Sequence, residues 1–255
     1  MPEARSNVRV RRVATAPLLA LLLAAARGGA GGDAIVTDRP GFGESASVVA
    51  GRRVQVETGL TWAWVGDGAT ILDLPQALVR VGVGRSLELR VTTPDWFRGR
   101  GPGISAAGWS DTTLGVKWHA AAGGNDFSLR VAVYLGTGSL GWSDRRGEPE
   151  GSVSWSRNLS ERWTVGATVT AHRLRLLSTT LVSPSVSVGH SLGARGSTFL
   201  EYGTGLGQGL PPLHSLDHGY TWLAGPDTQL DVSVGVGLSA AAPDFFVALG
   251  FSRRF

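Results

Sequence analysis

Residue types able to do chemistry are present in this chain, but their spacing assembles no catalytic or cofactor centre. Gly136-Thr137-Gly138-Ser139-Leu140-Gly141 fits G-x-G-x-x-G and follows a strand-like run. A dinucleotide cradle needs a helix next, so that its first amides point at phosphate. The segment that follows, Trp142-Ser143-Asp144-Arg145-Arg146-Gly147-Glu148-Pro149, is no helix former and reads as a glycine-rich loop. The histidines are His119, His172, His190, His214 and His218, and no H-E-x-x-H occurs among them. His214 and His218 share a metal-binding face only if that stretch is helical. His190 and Ser191 are adjacent, so a strand turns them to opposite faces and they make no nucleophile–base pair. The absence of cysteine removes disulfides and thiolate metal sites. The chain reads as no enzyme, with no cofactor and no metal.

What remains is a set of charged side chains that recur on one side of an alternating pattern: Glu57, Arg80, Glu88, Arg90, Asp111, Lys117, Arg130, Glu150, Glu201, Asp231, Asp244 and Arg254. Seven acids and five bases held on one surface suit two roles. They brace a wall through ion pairs, or they line a constriction that screens a passing solute.

The elements that must hold them are strands. From Leu230 to Leu238 one face is Leu230, Val232, Val234, Val236, Leu238 and the other is Asp231, Ser233, Gly235, Gly237. Residues 127–135 and 163–172 alternate in the same way. A period of two is the strand signature. About twelve strands follow, near 53–64, 75–83, 87–93, 110–119, 127–135, 148–157, 162–172, 180–190, 197–203, 218–223, 228–238 and 244–255. Tight turns (84–86, 158–161, 225–227) alternate with longer segments at 94–109, 136–147 and 204–217. Short turns at one rim and long loops at the other mark an outer-membrane barrel.

A soluble β-sandwich would alternate too, but its outer face would carry more Lys and Glu. Here charged residues are 17% of the chain, against a usual figure of about 25%. Tryptophans (Trp62, Trp64, Trp118, Trp155, Trp163, Trp222) stand at the ends of many apolar strand faces, as in interfacial girdles. The expected fold is all-β, an antiparallel up-and-down transmembrane β-barrel over residues 53–255, ending on Phe255 as the assembly signal.

Residues 1–30 read as an address. An arginine-rich start precedes the apolar run 16–26, and Gly28 and Ala30 supply the small residues before a cut. The run is 11 residues long, too short for a membrane span of about 20. Sec-type export with cleavage near Ala30 is expected. Five of the 24 basic residues and one of the 20 acids lie in this stretch, leaving 19 of each sign beyond it. No basic patch remains for nucleic acid. Residues 31–52 precede the first strand and are either a plug or a periplasmic tail.

Several short runs carry a family resemblance. They are Thr37-Asp38-Arg39-Pro40-Gly41-Phe42 with Glu44-Ser45-Ala46, Leu78-Val79-Arg80-Val81-Gly82-Val83 and Asp111-Thr112-Thr113-Leu114-Gly115-Val116-Lys117. Gly136-Thr137-Gly138-Ser139, Glu148-Pro149-Glu150, Leu230-Asp231-Val232-Ser233 and Ala242-Pro243-Asp244-Phe245-Phe246 continue the series. In this order the chain resembles the outer-membrane transporter family grouped with the MetA-pathway phenol-degradation proteins. The resemblance implies a cell-outer-membrane barrel that passes small, apolar or aromatic solutes. Its partners would be outer-membrane lipid, the assembly machinery and the solute. One departure is Arg253, where such barrels carry an aromatic or apolar residue two before the terminal Phe255. The alternative function is a closed barrel with a structural or surface-interaction role.

Overall fold

The computed structural model describes residues 34–49, 51–102 and 104–255. The export segment 1–30 and its cleavage point lie outside these residues. The described chain is all β, in fifteen strand segments. They are β1 (Val54–Val65), β2 (Ala69–Leu74), β3 (Leu78–Val83), β4 (Leu87–Thr92), β5 (Trp96–Gly101), β6 (Ile104–Trp109), β7 (Thr113–Ala122) and β8 (Asn125–Tyr134). There follow β9 (Glu148–Asn158), β10 (Trp163–Leu174), β11 (Thr179–Ser191), β12 (Gly196–Gly205), β13 (Leu213–Gly225), β14 (Thr228–Gly237) and β15 (Phe245–Arg254).

All pairings are antiparallel between neighbours, and β15 closes on β1 in a ladder from Gln55↔Arg254 to Trp64↔Phe245. Beyond it, Phe255 N–H donates to Val54 O at 2.7 Å and Val54 N–H to Phe255 O at 3.3 Å. Closure leaves no edge with unpaired amides, the condition for a sheet to stand in hydrocarbon. The fifteen segments make a twelve-strand barrel, because β2 with β3, β4 with β5 and β6 with β7 are each one strand broken at 75–77, 93–95 and 110–112. These breaks lie side by side, where Pro75 and Pro94 can donate no ladder hydrogen bond. The wall is stitched there by Gly59 N–H to Pro75 O, Thr93 N–H to Ala77 O and Ser110 N–H to Asp95 O.

Two expected boundaries are corrected. The segment 94–109, read as a loop, contains the β5–β6 hairpin, and 204–217 is strand at both ends. The β5–β6 hairpin has no apolar alternation to announce it: Trp96, Arg98 and Arg100 stand opposite Trp109, Ala107 and Ser105.

Burial inverts the pattern of a soluble protein. Val131 is 61% exposed and Trp118 51%, whereas Glu57, Arg80, Glu88 and Lys117 are 0% exposed. The apolar face therefore meets lipid and the charged face is inside. Exposed tryptophans ring both ends, Trp118, Trp163 and Trp222 near the rim of short turns and Trp62, Trp64 and Trp109 toward the other. Both ends of the barrel chain lie at the short-turn rim, the periplasmic side of such barrels.

Candidate functional site

The site is the lumen together with the chain segment that enters it. Residues 34–49 run inside the barrel, tied down from the periplasmic turn upward. Ile35 N–H donates to Pro226 O (2.7 Å), Asp38 N–H to Glu57 Oε2 (3.0 Å) and Val49 N–H to Glu88 Oε2 (2.7 Å). Inner-face glycines make room for this backbone. A Cβ on Gly82 would lie 2.1 Å from Val49 O, and one on either member of the Gly59–Gly250 pair would lie 2.4 Å from the Arg39 guanidinium.

One wall of the lumen is basic. Cross-strand register sets Arg80 beside Arg90 and Lys117 beside Arg130. Like charges opposite one another repel, so carboxylates stand between them. Glu88 Oε1 accepts from Arg80 Nε (2.9 Å) and Arg90 Nη1 (2.8 Å), and Glu57 Oε1 accepts from Arg80 Nη1 (2.8 Å). Arg130 Nη2 reaches Glu150 Oε1 at 2.7 Å.

The inserted segment supplies the rest. Asp38 Oδ2 lies 2.7 Å from Arg90 Nη2, while its Oδ1 lies 3.6 Å from Arg80 Nη1 and 3.5 Å from Lys117 Nζ. Glu44 Oε1 lies 2.6 Å from Arg130 Nε and Oε2 lies 3.4 Å from Lys117 Nζ. Lys117 also donates to Ser45 O (2.6 Å). Burial alone would raise the Asp38 carboxyl. Arg80, Lys117 and Arg90, helped by a hydrogen bond from Ser45, outweigh it and hold Asp38 well below 3.8.

The opposite wall is acidic and answered differently. Glu201 accepts backbone N–H bonds from Phe42 (2.7 Å) and Gly43 (2.8 Å). Asp231 lies 3.5 Å from Arg39 Nε. Arg39 also donates to Gln76 Oε1 and Leu249 O. Asp217, beside Glu201 in the ladder, is buried, and neither of its oxygens has a hydrogen-bond partner among the described residues.

The segment divides the lumen into separate spaces. A cavity of about 470 Å³ opens between it and β7 to β13 in the periplasmic half, touching Asp38, Glu44, His119 and Thr168. On the other side lie cavities of about 330 Å³, with Arg90, Arg130, Phe97 and Tyr134, and about 480 Å³, with Phe42, Asp73, Pro243 and Phe246. Glu44 lines both the 470 Å³ space and the 330 Å³ space.

Of the charged residues picked out from the sequence, Glu57, Arg80, Glu88, Arg90, Lys117 and Arg130 lie together in the basic wall, and Glu201 and Asp231 in the acidic one. Asp111 is buried on the lining of the 330 Å³ cavity, where its Oδ1 accepts from Gly138 N–H at 2.7 Å and anchors the glycine-rich loop. Asp244 lies exposed at the rim, one residue before β15 and in step with the buried Phe246 and Ala248, its N–H donating to Trp64 O. Phe255 is exposed on the lipid side, with the Arg253 guanidinium 5.6 Å from its ring centre. His214 and His218 lie on strand β13 rather than a helix, and pair with Tyr202 and Thr198 respectively. The sequence reading missed Asp38, Arg39, Glu44 and Asp217. The first three have no strand pattern around them, and Asp217 fell in an expected loop.

The sequence has no match among curated proteins. Among solved structures the fold is similar to an outer membrane channel from Pseudomonas putida F1 (TM-score 0.61, 14% identity, 82% of this chain and 97% of that one). It is also similar to the NanC porin (TM-score 0.55, 9% identity, 78% and 98%) and the KdgM porin (0.54, 8%, 80% and 99%). The model of the family described as "Putative MetA-pathway of phenol degradation" matches residues 37–255, and the chain belongs to that family.

Proposed function

We propose that this protein is a passive channel of the cell outer membrane for small solutes, with residues 34–49 as its plug. The carrying observation is the lumen itself: space on both sides of a partition that is one chain segment thick, with Glu44 bordering the 470 Å³ and 330 Å³ cavities. The fold shared with outer-membrane channels supports the location. Export through a signal at 1–30 cut near Ala30 and assembly through Phe255 complete the reading, with no catalytic step. Apolar or aromatic solutes are supported by Phe42 and Phe246 in one upper cavity and by Phe97 and Tyr134 in the other.

The closed-barrel alternative draws on the same network, since the ion pairs that seat the segment also shut the lumen. Single-channel recording across a planar lipid bilayer separates the two. Discrete current steps from the refolded chain, rising when residues 34–49 are removed, support a plugged channel. Silence from both forms, with heat-modifiable gel migration proving a folded barrel, leaves the structural role.

A further inference from the structure

Resting on that reading, we propose that the basic wall is a recognition site for a small aromatic carboxylate, which Asp38 and Glu44 occupy in its place. The wall's own acids satisfy only part of its charge. Glu57 and Glu88 take up Arg80 and Arg90 Nη1, and Glu150 takes Arg130 Nη2. Arg90 Nη2, Lys117 Nζ and Arg130 Nε are left, and among the described residues their carboxylate partners are Asp38 and Glu44. Lys117 is 0% exposed and Arg90 and Arg130 are nearly as deep. A cation held from water without a counter-ion is costly, so whatever displaces Asp38 or Glu44 while the segment still fills the lumen must bring an anion of its own. Both carboxylates sit within 3.5 Å of the same Lys117 Nζ, so the wall presents a compact target for a carboxylate rather than a diffuse field.

The neighbouring space specifies the remainder of the ligand. The 330 Å³ cavity joins Arg90 and Arg130 to the rings of Phe97 and Tyr134, and it is at the small end of ligand pockets; of the acids on its lining, Asp111 is engaged by Gly138 N–H and Glu150 by Arg130, which leaves Asp95 and the displaceable Glu44. A carboxylate on the arginines places an attached ring toward those two aromatic faces. Glu44 borders this cavity and the periplasmic one, so a solute that displaces Glu44 stands on a path between them. Segment and solute then compete for the same cations, and arrival of the anion favours withdrawal of the plug.

The test titrates detergent-folded full-length mature chain and its Asp38→Asn/Glu44→Gln variant with benzoate and with neutral benzamide by calorimetry. The same proteins are recorded in planar bilayers under a salt gradient. The variant is expected to bind benzoate about tenfold or more tightly than the unaltered chain, the scale of a charge-assisted contact. Benzamide should not bind, and adding Arg130→Gln should abolish the benzoate signal. Binding of benzoate and benzamide alike, or of neither, overturns the proposal. Current without anion preference and without benzoate binding refutes the recognition site and leaves the channel. Benzoate binding without current refutes the channel and leaves the site. Should the double variant fail to fold, Glu44→Gln alone carries the same comparison.

Discussion

The two walls of this lumen hold their charges in opposite ways. On the side built by β3, β4, β7 and β8, ions meet ions, and each guanidinium is forked between a wall carboxylate and one from the inserted segment. On the side of β12 to β14 the carboxylates meet backbone amides, one distant guanidinium or, for Asp217, no hydrogen-bond partner among the described residues. The segment is matched to both, with Asp38 and Glu44 turned toward the bases and Arg39 and two amides toward the acids. The comparison shows that a buried charge is held by whatever geometry can reach it. Strand-borne cations paired across a ladder share the acids set between them, whereas the acids of the other wall, among them the ladder neighbours Glu201 and Asp217, are met chiefly by the inserted segment.

The largest expected effect separates the walls directly. Arg80→Leu strips Glu57 and Glu88 of their shared cation, and breaking a buried pair on one side costs about 3–5 kcal/mol. Urea titration of the folded barrel, followed by heat-modifiable migration, should show the transition moved to markedly lower urea. A shift no larger than that of an exposed substitution would mean that water screens the wall.

Gly82→Val attacks the segment without touching a charge. The new Cβ would lie 2.1 Å from the Val49 carbonyl, a backbone atom that cannot rotate away. The segment is expected to lift, and a glutamate-specific endoprotease should cleave after Glu44 faster while the barrel stays resistant. Gly250→Ala meets the side chains of Asp231 and Arg39 instead of backbone and should change the cleavage rate less.

Glu201→Gln tests the acidic wall. It removes the charge from two amide hydrogen bonds, worth about 1.5–3 kcal/mol each when charge-assisted. The loss should appear as looser anchoring of Phe42 and Gly43 in hydrogen exchange, with the basic wall unaffected.

Much of the barrel was legible because lipid enforces alternation. A strand such as β14, with Leu230, Val232, Val234 and Val236 outward, cannot slip by one residue without turning Asp231 into hydrocarbon. The β5–β6 hairpin was illegible for the complementary reason: glycines and arginines on its short strands give alternation nothing to report. The site was half legible. Glu57, Arg80, Glu88, Arg90, Lys117 and Arg130 followed from strand parity alone. Their counter-charges Asp38 and Glu44 did not, because an irregular segment has no parity and its contacts are set by the wall it enters.

Acid tests the Asp38 clamp. A carboxyl lowered on folding stabilises at pH values above its unfolded value, about 3.9, and loses that contribution as pH falls through its folded value. Because Asp38 is held well below 3.8, cleavage after Glu44 by the glutamate-specific protease, taken relative to a free peptide of the same sequence at each pH, should be constant from pH 8 to about pH 5. Loosening within that window would show that another group releases the segment.

Asp217→Asn should have the smallest effect, and its sign separates the walls most sharply. This carboxylate is 1% exposed and has no hydrogen-bond partner among the described residues, and an unsatisfied buried polar group costs about 1–3 kcal/mol. An amide of the same shape removes the charge while breaking no contact. Urea stability should therefore stay level or rise, opposite to the fall expected for Arg80→Leu and Glu201→Gln. A fall as large as that of Glu201→Gln would mean that a small cation or a water serves Asp217, and the acidic wall would then hold its charges as the basic wall does, through a bound counter-group.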